Sequence, residues 1–492
     1  MEDQRKVSGG AHLFLALLPI ILLTGMLAYN VVFYGEDSSY GPNQIALLLA
    51  GAIGGLIGLR LGYNWKEIYD GIVESITSAM GAIIILLLIG ALAGTWLISG
   101  IVPAMVFYGL KILTPAIFLF AACIVCALVS VATGSSWSTI ATVGLALLGI
   151  GNALGIYEGW VAGAIISGAY FGDKMSPLSD TTNLAPAVAG TNLFTHIRYM
   201  VWTTGPSIII ALLVFLIVGF NLDSNAQDGQ VEVLMAAIED KFTINLWLFL
   251  VPAIVIFMII KKVPAIPALF AGVLLGAVCA FIFQPDIVRE VAGVDGTYLE
   301  NAYVATINSM ALETNIPTDN QDVNDLLSAG GMMGMLNTIW LIICALTFGG
   351  VMQATGLLRR ITKAILGMVN STGSLIGSTA FTCVFFNVTA SDQYLAIVVP
   401  GKMFAEAYRE RGLAPENLSR TLEDSGTVTS VIIPWNTCGV AQAGVLNVAT
   451  LIYAPYCIFN IASPIITVLY GIFDYKIKRL VPDAKDSEKA TA

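Results

Sequence analysis

Residues 173–183 place Asp173, Lys174, Ser176, Ser179, Asp180, Thr181, Thr182 and Asn183 within eleven positions, directly after the apolar run 160–168 that reads as half of a membrane helix. Charges near the middle of a bilayer are costly and persist mainly where they face a cavity and bind something. Pro177 lacks an N–H, so the carbonyl of residue 173 loses its helical partner and is expected to be free to coordinate a cation. Were the backbone helical throughout, Asp173, Ser176 and Asp180 would share one face at i, i+3, i+7. Two carboxylates, several hydroxyls and freed carbonyls make an oxygen donor set, which suits a hard cation.

Three further polar breaks interrupt apolar stretches. The first, TGSSWST at 133–139, carries Thr133, Ser135 and Ser136 around Gly134, which permits a turn while the hydroxyls bind an ion or cap helix ends. The next, NVTASDQ at 387–393, adds Asn387, Thr389 and a third carboxylate, Asp392. The last joins EDSGTVTS at 423–430 to PWNTCG at 434–439, with Asn436 and Thr437 as candidate ligands and Pro434 freeing the carbonyl of residue 430. Each has a plainer explanation. Ser and Thr often only tie packed membrane helices together. An Asp173–Lys174 or Asp180–Lys174 ion pair accounts for part of the central run. Glu423 and Asp424 either belong to the site or merely complement a helix dipole at its N-terminal end.

The elements that must hold these groups are membrane helices. The chain has 492 residues, 57% of them hydrophobic and 11% charged, with a mean hydropathy of +0.82. Soluble domains carry roughly 25% charged residues, so this is an all-α polytopic membrane protein with room for about a dozen spans. The first apolar run is too long for a cleaved signal peptide and is expected to be retained. The seven cysteines lie mostly inside apolar runs; Cys123 and Cys126 read as small buried hydrophobes rather than a metal pair. Only His12 and His196 are present, which argues against zinc or haem; no cofactor is expected. The net charge of −10 sits largely in loops and does not suit nucleic acid.

Spans near 11–34 and 43–62 lead to an amphipathic stretch, 66–77, and a third span, 78–98. Positive residues mark the cytoplasmic side. Arg5 and Lys6, Arg60 and Lys66, Lys261 and Lys262, Arg359, Arg360 and Lys363, and finally Lys476, Lys478 and Arg479 fall on that side. The acidic loops 221–242 and 285–329 fall outside. Both termini are then cytoplasmic in a bacterial-type inner membrane. Sliding the chain by 256 residues sets Gly100 on Gly356, Thr133 on Thr389, Ser135 on Ser391, Asp180 on Asn436 and Thr181 on Thr437. The order of features recurs as well: a span, an amphipathic segment, a re-entrant hairpin, a helix broken at a proline and a closing span. The halves are expected to be inverted repeats, at 76–220 and 330–475, with the site where they meet. Around them lie N-terminal scaffold helices (1–75), a linking segment (221–329) and a cytoplasmic tail (476–492). The small-residue runs 51–58 and 272–276 mark close helix contacts, either within a scaffold or between two copies.

The run GAYFGDKMSPLSDTTNLAP, 168–186, closely resembles the signature of NhaC-type sodium/proton antiporters, and the tip GSSWST, 134–139, resembles that family too. The similarity covers the whole span-bearing chain. It implies an ion transporter of two inverted repeats with hairpins and broken helices, working as an elevator with a scaffold and a moving part. The family also includes sodium-coupled malate/lactate exchangers with nearly the same signature, so the motif leaves the substrate open.

On this reading Asp173 and Asp180, with Thr181, Ser135 and nearby carbonyls, hold either Na⁺ or H⁺, and Li⁺ substitutes. Exchange of small carboxylates coupled to Na⁺ and H⁺ is the alternative, with Asn436, Thr437, Lys174 or a half-helix N-terminus meeting the anion. An enzyme is disfavoured, because no HExxH-like motif or nucleophile–His arrangement occurs.

Overall fold

The computed structural model describes residues 13–480 except 36, 37, 39, 223–227, 319–323, 325, 326 and 368. The expected basic N-terminus with Arg5 and Lys6 and the end of the tail, 481–492, lie outside the described residues.

The first helices are α1 (Leu13–Tyr34), α2 (Pro42–Arg60), the amphipathic α3 (Trp65–Ser78), α4 (Met80–Ile98) and α5 (Ile101–Ile112). A tip at Gly134 joins α6 (Pro115–Thr133) to α7, which runs as Ser136–Thr139, a π turn Ile140–Gly144 and Leu145–Ala153. Then come α8 (Glu158–Met175), α9 (Asp180–Ala189) and α10 (Leu193–Phe220). The linking part holds α11 (Asp228–Lys241), α12 (Leu250–Ile260), α13 (Ala265–Phe283), α14 (Pro285–Ala292), α15 (Tyr298–Ala311) and an antiparallel ribbon of β1 (Thr314–Asn315) with β2 (Ser328–Ala329). The second half is α16 (Leu336–Ala354), α17 (Leu357–Leu366), α18 (Thr372–Thr389), α19 (Gln393–Glu410) and α20 (Pro415–Leu422), the last prolonged by a π turn, Glu423–Thr427. After a break follow α21 (Thr437–Leu446), α22 (Thr450–Tyr453) and α23 (Ile458–Ile472). Among the described residues seven helices are long and apolar enough to cross a membrane, or up to nine if each bent pair is one span.

The helix boundaries repeat. Met80 and Leu336, Ile98 and Ala354, and Thr133 and Thr389 each stand 256 residues apart (389 − 133 = 256). Past the tip the step becomes 257: Ser136 with Gln393, Glu158 with Pro415, Asp180 with Thr437, Ala189 with Leu446. The extra residue lies in the second tip, where Ser391 takes the left-handed conformation (φ 58°) that Gly134 takes in the first (φ 72°). A fixed slide of 256 therefore misaligned the sequence beyond the tip. Asp180 corresponds to Thr437 rather than Asn436, and the helix caps Ser179 and Asn436 correspond to one another.

Small residues set the packing. A Cβ on Gly168 would stand 2.1 Å from the Cys123 carbonyl and one on Gly172 2.5 Å from that of Ala127, so α8 lies directly against α6. The opposite face of α8 bears Gly159 and Gly163, pressed on the Ile452 and Tyr456 backbone of the second half. Gly51, Gly54 and Gly58 meet Phe348, Val351 and Thr355 of α16, while Gly272 and Gly276 meet Leu92 and Trp96 of α4. Both small-residue runs thus serve contacts within the chain. Toward lipid, α10 presents Ile209, Leu213, Ile217 and Phe220, spaced by three and four residues, and buries His196, Met200, Thr203, Ser207, Ala211 and Phe215.

Candidate functional site

Asp173 is in the last turn of α8, buried against the N-terminus of α7. Its Oδ2 accepts from the backbone N–H of Ser136 at 3.1 Å and from the Ser136 hydroxyl at 2.6 Å. Ser135 caps the same helix end, its Oγ accepting from the N–H of Ser138. A carboxylate so placed is held by charge-assisted hydrogen bonds and by the positive end of the helix. Thr133 stays within the tip, its hydroxyl 3.4 Å from that of Thr139.

The chain leaves the helix at Ser176 and re-enters it at Asp180, so Asp173, Ser176 and Asp180 do not share a helical face. Nor is the carbonyl of Asp173 free, as the proline argument expected. It accepts from the N–H of Ser176 at 3.2 Å and from the Thr182 hydroxyl at 3.1 Å, which also reaches the Lys174 carbonyl at 3.0 Å. The carbonyl of Ser430 is likewise occupied, by the N–H of Ile433 at 3.3 Å. Both breaks close on themselves. Asp180 stands exposed in the first turn of α9, and Asn183 is exposed with its amide on the Pro177 and Ser179 carbonyls. The Thr181 hydroxyl lies 3.2 Å from that of Ser179.

In the second half Asp392 caps α19, its Oδ1 accepting from the N–H of Leu395 at 2.8 Å. The Asn436 amide donates to the carbonyl and side-chain oxygens of Asn387, both at 3.1 Å, and Asn387 donates to the Gly426 carbonyl at 2.7 Å. The N–H of Thr437 binds the Ser391 carbonyl at 2.9 Å, joining tip to break. The Thr389 hydroxyl turns back to its own helix, on the Phe385 carbonyl at 2.7 Å.

The two halves meet at these breaks. Tyr394, at the start of α19, lies within electrostatic reach of Asp180, Asp173 and Asp392, and Tyr170 of α8 lies beside Cys438 of α21. Deeper in, Lys174 forms a salt bridge with Asp424; both side chains are fully buried. Lys174 also donates to Ser463 at 3.0 Å, and the hydroxyls of Ser463 and Thr467 complete the shell around Asp424. Lys174 is therefore matched to Asp424, not to Asp173 or Asp180. Glu423 and Asp424 lie eight and nine positions beyond Pro415, the first residue of α20, which removes the helix-dipole explanation for them. The signal that could have found this pair was in the sequence: a lone intramembrane lysine needs a buried acid, and the second half offers two in sequence.

A cavity of about 860 Å³ lies among α4, α5, α7 and α21, lined in part by Asn152, Glu158, Glu313 and Asn447. Among the described residues no cluster of three or more His, Cys, Asp or Glu side chains could hold a metal ion.

Residues 168–475 match the model of the Na⁺/H⁺ antiporter family. The chain is 35% identical to the Na⁺/H⁺ antiporter NhaC of Alkalihalophilus pseudofirmus, over 95% of this chain and 96% of that protein. It is 36% identical to the malate-2H⁺/Na⁺-lactate antiporter of Bacillus subtilis, over 92% and 94% of the two chains. It is also 36% identical to the arginine/ornithine antiporter ArcD of Halobacterium salinarum, over 96% and 95%. With both broken helices and their flanking tips inside one polytopic helical chain, and with this similarity across nearly its whole length, the protein belongs to the Na⁺/H⁺ antiporter family.

Proposed function

We propose that this chain exchanges Na⁺, with Li⁺ as a substitute, for H⁺ across the membrane by alternating access. The observation that carries the reading is Asp173, buried at the N-terminus of α7 with the Ser136 hydroxyl on its carboxylate, beside the exposed Asp180. A desolvated carboxylate paired with an accessible one offers sodium an oxygen site, and positive charge there opposes protonation of the acids around it. Loading one ion then requires release of the other. The recurring helix boundaries support two repeats, 76–220 and 330–475, which we read as inverted from the loop charges, with both termini cytoplasmic. Close packing of α16 on α2 and α3, and of α4 on α13 and α15, supports a scaffold against which the remaining helices move as an elevator.

A second substrate class follows from the relatives, since one of them exchanges malate and lactate by name. Pairing of Lys174 with Asp424 occupies the lysine that would have met an organic anion, which supports the plain cation reading. The test uses proteoliposomes with an internal pH gradient read by a quenched dye, given NaCl, LiCl, KCl, sodium malate and sodium lactate in turn. Dequenching by Na⁺ or Li⁺ alone establishes cation/proton exchange. A response only to malate or lactate makes the protein a carboxylate exchanger.

A further inference from the structure

Glu423 opens the π turn that prolongs α20, and its side chain is fully buried. Neither carboxylate oxygen has a hydrogen-bond partner, and the Thr427 hydroxyl faces it without closing a bond. Buried polar groups are nearly always paired, so an acid with two bare oxygens inside a membrane protein calls for an explanation. An uncompensated charge there is prohibitively costly unless neutralised. The charged groups facing it are Lys174 and Asp173 of α8 and its own neighbour Asp424; the thiol of Cys383 on α18 lies beside it. Lys174 is already bound to Asp424, and Arg420, three residues before Glu423 on α20, donates to the Lys476 carbonyl at 3.1 Å and lies over the Tyr199 ring. No salt bridge reaches Glu423 among the described residues, and a proton on its own oxygen supplies neutrality without any protein donor. π turns inside helices concentrate at functional sites, and this one sets Glu423 and Thr427 on a common face.

We infer that Glu423 is the proton-carrying group of the exchange cycle, separate from the sodium site at Asp173 and Asp180. The proposal rests on the antiport reading. An Oε–H bond forms with a proton taken from water on one side of the membrane, and that proton returns to water on the other; nothing is oxidised or reduced. Sodium at Asp173 and Asp180 places positive charge near Glu423 and favours loss of its proton. The two ions are then coupled through space and need not share oxygens.

The test compares Glu423→Gln, Glu423→Asp and Asp180→Asn with the unaltered protein in proteoliposomes. Two fluxes are read: proton movement driven by whichever of NaCl, LiCl or the sodium carboxylates moves protons in the unaltered protein, and isotope exchange of sodium at equal pH on both sides. For Glu423→Gln we expect the coupled proton flux to fall by roughly a hundredfold or more, the range for removing a positioned proton-transfer group. Sodium exchange should persist, which also shows that the variant is folded. Glu423→Asp should retain part of the proton flux. Asp180→Asn should lose both fluxes. Full proton coupling in Glu423→Gln overturns the proposal, and so does loss of both fluxes in that variant. Absence of any proton movement in the unaltered protein removes the antiport reading itself, a result visible before any variant is compared.

Discussion

At the level of single residues, the candidate site is a set of carboxylates sorted by their neighbours. Asp173 is gripped by Ser136, Asp392 caps α19, Asp424 is neutralised by Lys174 and Asp180 is open. Asp180→Asn is expected to abolish exchange while leaving a folded membrane protein, measured by dye-reported proton flux and by size-exclusion profile; full activity would remove Asp180 from the mechanism. Lys174→Met strands Asp424 as a buried unpaired charge and should destabilise by about 3–5 kcal/mol. Thermal unfolding in detergent should show the double variant Lys174→Met, Asp424→Asn regaining most of that loss. Equal loss in single and double variants would mean the pair is not the source. The residue types of the central run were legible from sequence because hydroxyls and acids do not belong in an apolar helix. Their partners were not: Lys174 and Asp424 stand 250 positions apart in the chain, and no local pattern links them.

At the level of elements, the fold turns on where backbones touch. Gly168→Val would drive its side chain into the Cys123 carbonyl and separate α8 from α6, so little folded protein should be recovered. Gly205→Ala, with nothing within 4 Å of the added carbon, should express normally; fluorescence-detected chromatography of the two separates them. Helix existence could be read from hydropathy, and the tips and breaks from Gly134, Pro177 and Pro434. The register between the halves shifts by one residue past the tips, where a fixed slide of 256 fails. No composition signal marks the extra residue, because Ser391 adopts the left-handed turn that glycine usually takes. The carbonyls before the prolines are not free, because the hydroxyl of Thr182 and the turn N–H groups supply what the prolines remove.

On the scale of the whole molecule, the loop charges give a topology that labelling can check. Six of the seven cysteines are buried and Cys279 is only partly exposed, so background reaction should be low. Asp295→Cys should react with a membrane-impermeant maleimide in right-side-out vesicles, and Lys262→Cys only after everting them; the opposite pattern inverts the topology. The ion pair that joins the halves also makes them unequal. Positions 257 residues away from Lys174 and Asp424 hold Val431 and Ser167, so the pair has no mirror image. The two segments are thus complementary pieces rather than interchangeable copies. If the gene is divided within the linking segment, neither product should accumulate alone, since each would strand a charge that only the other can neutralise. Expressed together from separate reading frames, they should reassemble.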